Sequence, residues 1–190
     1  MKKSVLMLGL TILFVMTAIV MADDNTNVPK AAYVTDFGKA KELATAGNKP
    51  IIVDFYTDWC TWCKKFDKEV MTDPKAIEFL DNNVVFAKIN AEVDTNVSKA
   101  FKVMGYPTFL LTDSKGEEID RIAGYLAAED FIKTVNDYRN GVGTLGDLLN
   151  QSKESQERSL YFEIADKYKY RGDTKNAKDW YDKIIADGSK

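Results

Sequence analysis

Cys60 and Cys63 are the only cysteines in the 190-residue chain, and they stand within the stretch Trp59-Cys60-Thr61-Trp62-Cys63-Lys64-Lys65. Immediately before it comes the apolar run Ile51-Ile52-Val53-Asp54-Phe55-Tyr56, whose density predicts a central, buried strand. Downstream, Trp59, Cys63, Phe66 and Val70 recur at i, i+4, i+7 and i+11, which predicts one face of a helix running to about Val70. The pair therefore sits where a buried strand hands over to a helix. Cys60 falls at the helix N-terminus, where free backbone N–H groups and the dipole favour a thiolate. Cys63 falls one turn in, on the inward face. An outer thiolate can attack a partner's disulfide, and an inner thiol can then resolve the mixed disulfide.

Other uses of two cysteines fit less well. A structural zinc site needs four ligands, and the chain has no histidine and no third cysteine. A purely structural disulfide closing so short a loop adds less stability than one spanning a long loop, if chain entropy is the mechanism. The strand-then-helix setting points to redox chemistry. Net charge is −3, and removing residues 1–22, with Lys2 and Lys3, takes it to −5. That balance gives no electrostatic case for binding nucleic acid or anionic lipid.

Lys2 and Lys3 precede an apolar run from Val5 to Ala22, after which Asp23-Asp24 turns abruptly polar. This pattern predicts a secretory signal at 1–22, cleaved after Ala22. The alternative is an uncleaved N-terminal anchor, since the run is 18 residues long and nearly suffices to cross a bilayer. Either way the remainder is exported, to the periplasm or another extracytoplasmic space, and it touches the membrane only if the segment stays attached.

Residues 23–32 read as a flexible leader, and Tyr33-Val34 as a short strand. Asp36 to Ala46 predicts a helix with Phe37, Ala40, Leu43 and Ala44 on one side. Asp73 as N-cap and Pro74 at the first helical position open another helix, to about Leu80. Val84 to Ile89 is a second apolar strand, and Val93 to Val103 a second helical crossover, so the first two strands are expected to run parallel. A strand follows Pro107, and the turn Asp113-Ser114-Lys115-Gly116 leads into Glu117 to Ile122, a hairpin that makes the sheet mixed. A helix over Ala127 to Tyr138 closes the domain at 33–140. In the extension at 141–190, Leu145 to Leu149 is a short helix. Beyond it, Tyr161, Ile164, Ala165, Tyr168, Gly172, Ala177 and Tyr181 take the spacing of one tetratricopeptide repeat, with an ordinary helical hairpin as the alternative. A single such unit must pack on the preceding domain or on a partner.

The motifs Val53-Asp54-Phe55, Trp59-Cys60-x-x-Cys63-Lys64 and Gly105-Tyr106-Pro107-Thr108 together resemble the thioredoxin-fold thiol–disulfide oxidoreductase family, over about 33–140. The whole is similar to exported bacterial thioredoxin-like proteins with a short repeat-like tail. The resemblance implies an α/β thioredoxin fold, a mixed central sheet flanked by helices, followed here by a C-terminal α-helical hairpin. It casts Cys60 as the attacking and Cys63 as the resolving cysteine, and Asp54 as the buried carboxylate that handles the resolving proton. A solvated strand face for Asp54 remains the other reading. Pro107 is the counterpart of a cis-proline opposite the cysteines, and Tyr106 of the residue offering its backbone to a substrate chain. Trp59 matches the tryptophan beside the site, and Trp62 adds an aromatic contact for a protein partner. Asp58 would oppose the thiolate or cap the helix. Thr61-Trp62 replaces the Gly-Pro of ordinary thioredoxins, a pair that tunes potentials spanning roughly −270 to −120 mV across the fold.

The implied partners are protein thiols and disulfides, with a membrane partner to supply electrons, since no nucleotide or flavin fingerprint occurs. The redox-active disulfide Cys60–Cys63 is then the sole cofactor, and reductase direction is preferred. The alternative is a partner-binding or assembly factor that uses the repeat-like tail, with redox-tuned contacts.

Overall fold

The computed structural model describes residues 28–187. The signal or anchor expected at 1–22 lies outside them. Chain entry is fixed early: Ala31, expected in the leader, is buried, and its N–H donates to the Met71 carbonyl.

Helix α1 spans Phe37–Gly47, with Asp36 as its cap accepting from the Lys39 N–H at 2.6 Å. Strand β1 is Ile51–Tyr56 and the cysteine helix α2 is Thr61–Glu69. Helix α3, Pro74–Asn83, starts on the Asp73 cap with Pro74 in its first turn, where the missing N–H costs nothing. Strand β2 is Val85–Asn90, α4 is Thr95–Ala100, β3 is Thr108–Thr112, β4 is Glu118–Ala123 and α5 is Ala128–Arg139. Helices α6 (Leu145–Gln151), α7 (Arg158–Tyr170) and α8 (Thr174–Asp187) follow. Among the described residues no helix is long and apolar enough to cross a membrane.

The sheet order is β2-β1-β3-β4, with β1–β2 parallel and the other two pairings antiparallel, the expected mixed sheet. Alternation along β1 divides the core. Ile51, Val53 and Phe55 face α1 with Ala40, Ala44, Ile89 and Leu110. Ile52 faces the other layer, where Phe66 of α2 meets Phe109 at 4.3 Å and Phe131 of α5 at 4.9 Å between ring centroids. The edge-on contact with Phe131 adds to plain area burial. Asp54 shares the parity of Ile52, so it points beneath α2.

Three expectations are corrected. The crossover predicted over 93–103 is helical only over Thr95–Ala100, because Asp94 caps it and leaves Val93 exposed ahead of the cap. Leu43 lies toward solvent, while Ala40 and Ala44 carry the buried side of α1. Trp59 is not on the inward face of α2. It lies in the turn before the helix and is 65% exposed.

The C-terminal helices form a hairpin, α7 against α8, with Ile164, Ala165 and Ala177 buried. They dock on β4 largely through charge. Asp120, fully buried, accepts from Lys167 of α7 and from Arg171 just after it, each at 2.9 Å, from the Leu145 N–H at 2.6 Å and from the Arg121 N–H at 2.7 Å.

Candidate active site

Cys60 is the N-cap of α2, and its Sγ accepts from the Cys63 N–H at 3.1 Å. Asp58 leaves that role to the cysteine and accepts instead from Asn90 Nδ2. Cys60 and Cys63 are joined as a disulfide. Cys60 retains 4% exposure and Cys63 3%, so the outer sulfur is more covered than the sequence suggests. Their neighbours Trp59 and Trp62, at 65% and 55%, stand in solvent beside them.

Both aromatics are braced against the loops that follow. The Trp59 ring meets Tyr106 edge-on at 5.9 Å, and its Nε1–H donates to Glu92 at 2.9 Å. Trp62 lies 5.6 Å from the Tyr125 ring, and the Lys65 ammonium sits over both rings. Lys65 is thus engaged with the aromatics on the helix surface. The Tyr106–Pro107 bond is cis, and the Pro107 carbonyl accepts from the Gly124 N–H at 2.9 Å. These contacts bring the cysteine turn, the Pro107 loop and the end of β4 to one end of the strands. A groove of about 420 Å³ opens there, lined by Tyr106, Pro107, Gly124 and residues of α7.

Asp54 lies beneath the cysteine helix with 1% exposure, which overturns a solvated strand face. Its Oδ2 accepts from Lys88 Nζ at 2.6 Å, and the same ammonium reaches Asp67 Oδ1 of α2 at 2.6 Å. Asp54 Oδ1 has no hydrogen-bond partner among the described residues. Burial pushes the Asp54 carboxyl up to about 6, against the pull of Lys88. Burial draws the Lys88 ammonium down, but Asp54 and Asp67 together hold it above the usual lysine value.

Sequence reasoning missed Lys88 and Asp67. The signal for Lys88 was present: a lone cation inside the apolar run Val84–Ile89, directly opposite Asp54 in the parallel register. Asp67 becomes visible only once α2 is laid over the sheet.

A thioredoxin-like domain family matches residues 37–139, rather more than half of the chain. The chain belongs to that family. Among the relatives of this thioredoxin-like chain is the thiol:disulfide interchange protein DsbD of Yersinia pestis, 37% identical over 99 residues, which cover 48% of this chain and 16% of that protein. The DsbD of Salmonella typhi is 35% identical over 100 residues, covering 50% and 18%. The chain thus spans less than a fifth of the length of the curated relatives it matches. Among solved structures, a candidate disulphide-isomerase from Bacteroides thetaiotaomicron aligns at 28% identity and a TM-score of 0.53, covering 58% of this chain and 94% of that one. A thioredoxin from Thermus thermophilus aligns at 22% identity and a TM-score of 0.51, covering 56% and 86%, a likeness of fold. Family and disulfide together support thiol–disulfide exchange.

Proposed function

We propose that this chain is an exported thiol–disulfide oxidoreductase that exchanges electrons with protein disulfides, preferentially as a reductase. The observation that carries the reading is a Cys60–Cys63 disulfide at the N-terminus of a helix that Lys88 and Asp67 tie to the buried Asp54 carboxyl. In the reduced state the Cys60 thiolate attacks one sulfur of the substrate disulfide. A Cys60–substrate bond forms, the substrate bond breaks, and the first substrate thiolate leaves. Cys63 then passes its proton to Asp54 and attacks Cys60 Sγ, which re-forms Cys60–Cys63 and releases the second substrate thiolate. Two electrons have moved from the pair to the substrate. A carboxyl near pH 6 is suited to hold that proton and return it in the reverse direction.

Tyr106 and Pro107 seat the extended substrate chain, with Trp59 and Trp62 as flanking contacts. The N-terminal apolar run supports export, and the kinship with thiol:disulfide interchange proteins supports a membrane-borne electron donor. Insulin reduction driven by dithiothreitol tests the reading. The wild-type chain accelerates precipitation of the insulin B chain, and Cys60→Ser abolishes the acceleration. Full activity in that variant rejects the mechanism.

A further inference from the structure

Lys169 and Tyr170 belong to the last turn of α7, outside the thioredoxin-like domain, yet they line the same groove as Tyr106, Pro107 and Gly124. Their placement is rigid. The Tyr170 carbonyl accepts from Arg121 Nη1 at 2.9 Å, and Arg121 is itself clamped by Glu118. On either side, Lys167 and Arg171 are bonded to the buried Asp120. The turn after α7 is also fitted closely to the loop that leads into Tyr106. Gly172 has φ +66°, and a Cβ there would stand 3.4 Å from Lys102 Cβ and 3.6 Å from Met104 Sδ.

The groove, at about 420 Å³, is within the range that receives a small ligand or a few side chains. Its walls are largely apolar, with Met104 and Tyr170 both exposed along it. Among the described residues Lys169 is the one charged member of its lining, which carries a cation and no acid. The nearest carboxylate to Lys169 is Asp166 at 3.8 Å in a solvent-exposed pair, which ties the ammonium weakly.

We propose that the C-terminal extension supplies a specificity subsite of the substrate groove. An extended segment flanking the substrate's disulfide places an apolar side chain against Tyr170 and Met104 and a carboxylate at Lys169. The inference rests on the oxidoreductase reading above and assigns its substrate preference: disulfides with an acidic, partly apolar flank.

The test uses the full, reduced chain and two disulfide-linked peptides that differ only in Glu or Lys near the cysteine. The second-order rate constant is measured for each, with hydroxyethyl disulfide as a neutral small substrate for the wild type. The wild type favours the Glu peptide by about tenfold. Lys169→Glu inverts that ratio, whereas Lys169→Arg keeps it. A second peptide pair that differs only in Leu or Ser in the flank reads the apolar contact: Tyr170→Ala lowers the preference for Leu by a factor of roughly five, and an unchanged preference overturns that contact. Equal rates for the Glu and Lys peptides in the wild type, or an unchanged ratio in Lys169→Glu, overturn the inference while hydroxyethyl disulfide is still reduced. A wild-type chain that reduces neither the peptides nor hydroxyethyl disulfide overturns the oxidoreductase reading and this inference with it.

Discussion

At the scale of single residues, Asp54 and Lys88 form a buried pair whose two members are shifted by the same surroundings in different ways. Folded, the Asp54 carboxyl keeps its proton to about pH 6, whereas an unfolded aspartate releases it near 3.9. Between those values the folded chain binds more protons than the unfolded one. Asp54 therefore favours folding most below about pH 4, and that contribution is lost as pH rises toward 6. Asp54→Asn removes the effect, so the variant should gain stability over the wild type across this window. An interval of about two pH units corresponds to on the order of 3 kcal/mol. Urea unfolding of both proteins at about pH 4, 5 and 7 measures it, and parallel curves would refute the assignment. If Asp54 takes the Cys63 proton as proposed, single-turnover kinetics of the same variant should show slower release of the mixed disulfide. The apolar setting of Asp54 was legible in the sequence, since an acid interrupts an otherwise apolar run. Its pairing was not, because Lys88 lies 34 positions away and only the parallel register brings the two together.

At the scale of elements, the periodic signals held where one local rule governed. Asp73 caps its helix as expected, and the first two strands follow their apolar runs. Trp59 failed for a physical reason. Its spacing matched the helical face of Phe66 and Val70, but Cys60 took the N-cap position and left Trp59 in the turn outside. Phe66 anchors α2 to the sheet through contacts with Phe86, Phe109 and Phe131. Phe66→Ala should cost about 3–5 kcal/mol, the usual range for a fully buried phenylalanine. Chemical denaturation reads it directly, and a loss under 1 kcal/mol would show that the layer does not depend on that ring.

At the scale of the whole molecule, the extension and the domain are joined by an ionic network that no apolar pattern announces. Glu118 and Asp120 of β4 meet Lys167 of α7 and Arg171 just beyond it, Arg121 bonds Glu118 and the Tyr170 carbonyl, and the helices that had to pack on the domain or on a partner are thereby fastened to the edge strand. Asp120→Ala strips two cations and two backbone N–H groups of a common acceptor. It should destabilise the chain by roughly 3–5 kcal/mol, as breaking a buried ion pair from one side does. Hydrogen exchange should then rise through α7 before it rises in β1, whereas uniform exchange would mean that the helices stay seated without Asp120. The chain contains no histidine, and with its two cysteines bonded the oxidised protein lacks both common sources of a titration step near neutrality. An infrared carboxyl band that fades around pH 6 in the wild type and is missing from Asp54→Asn reports this one group in the centre of the sheet.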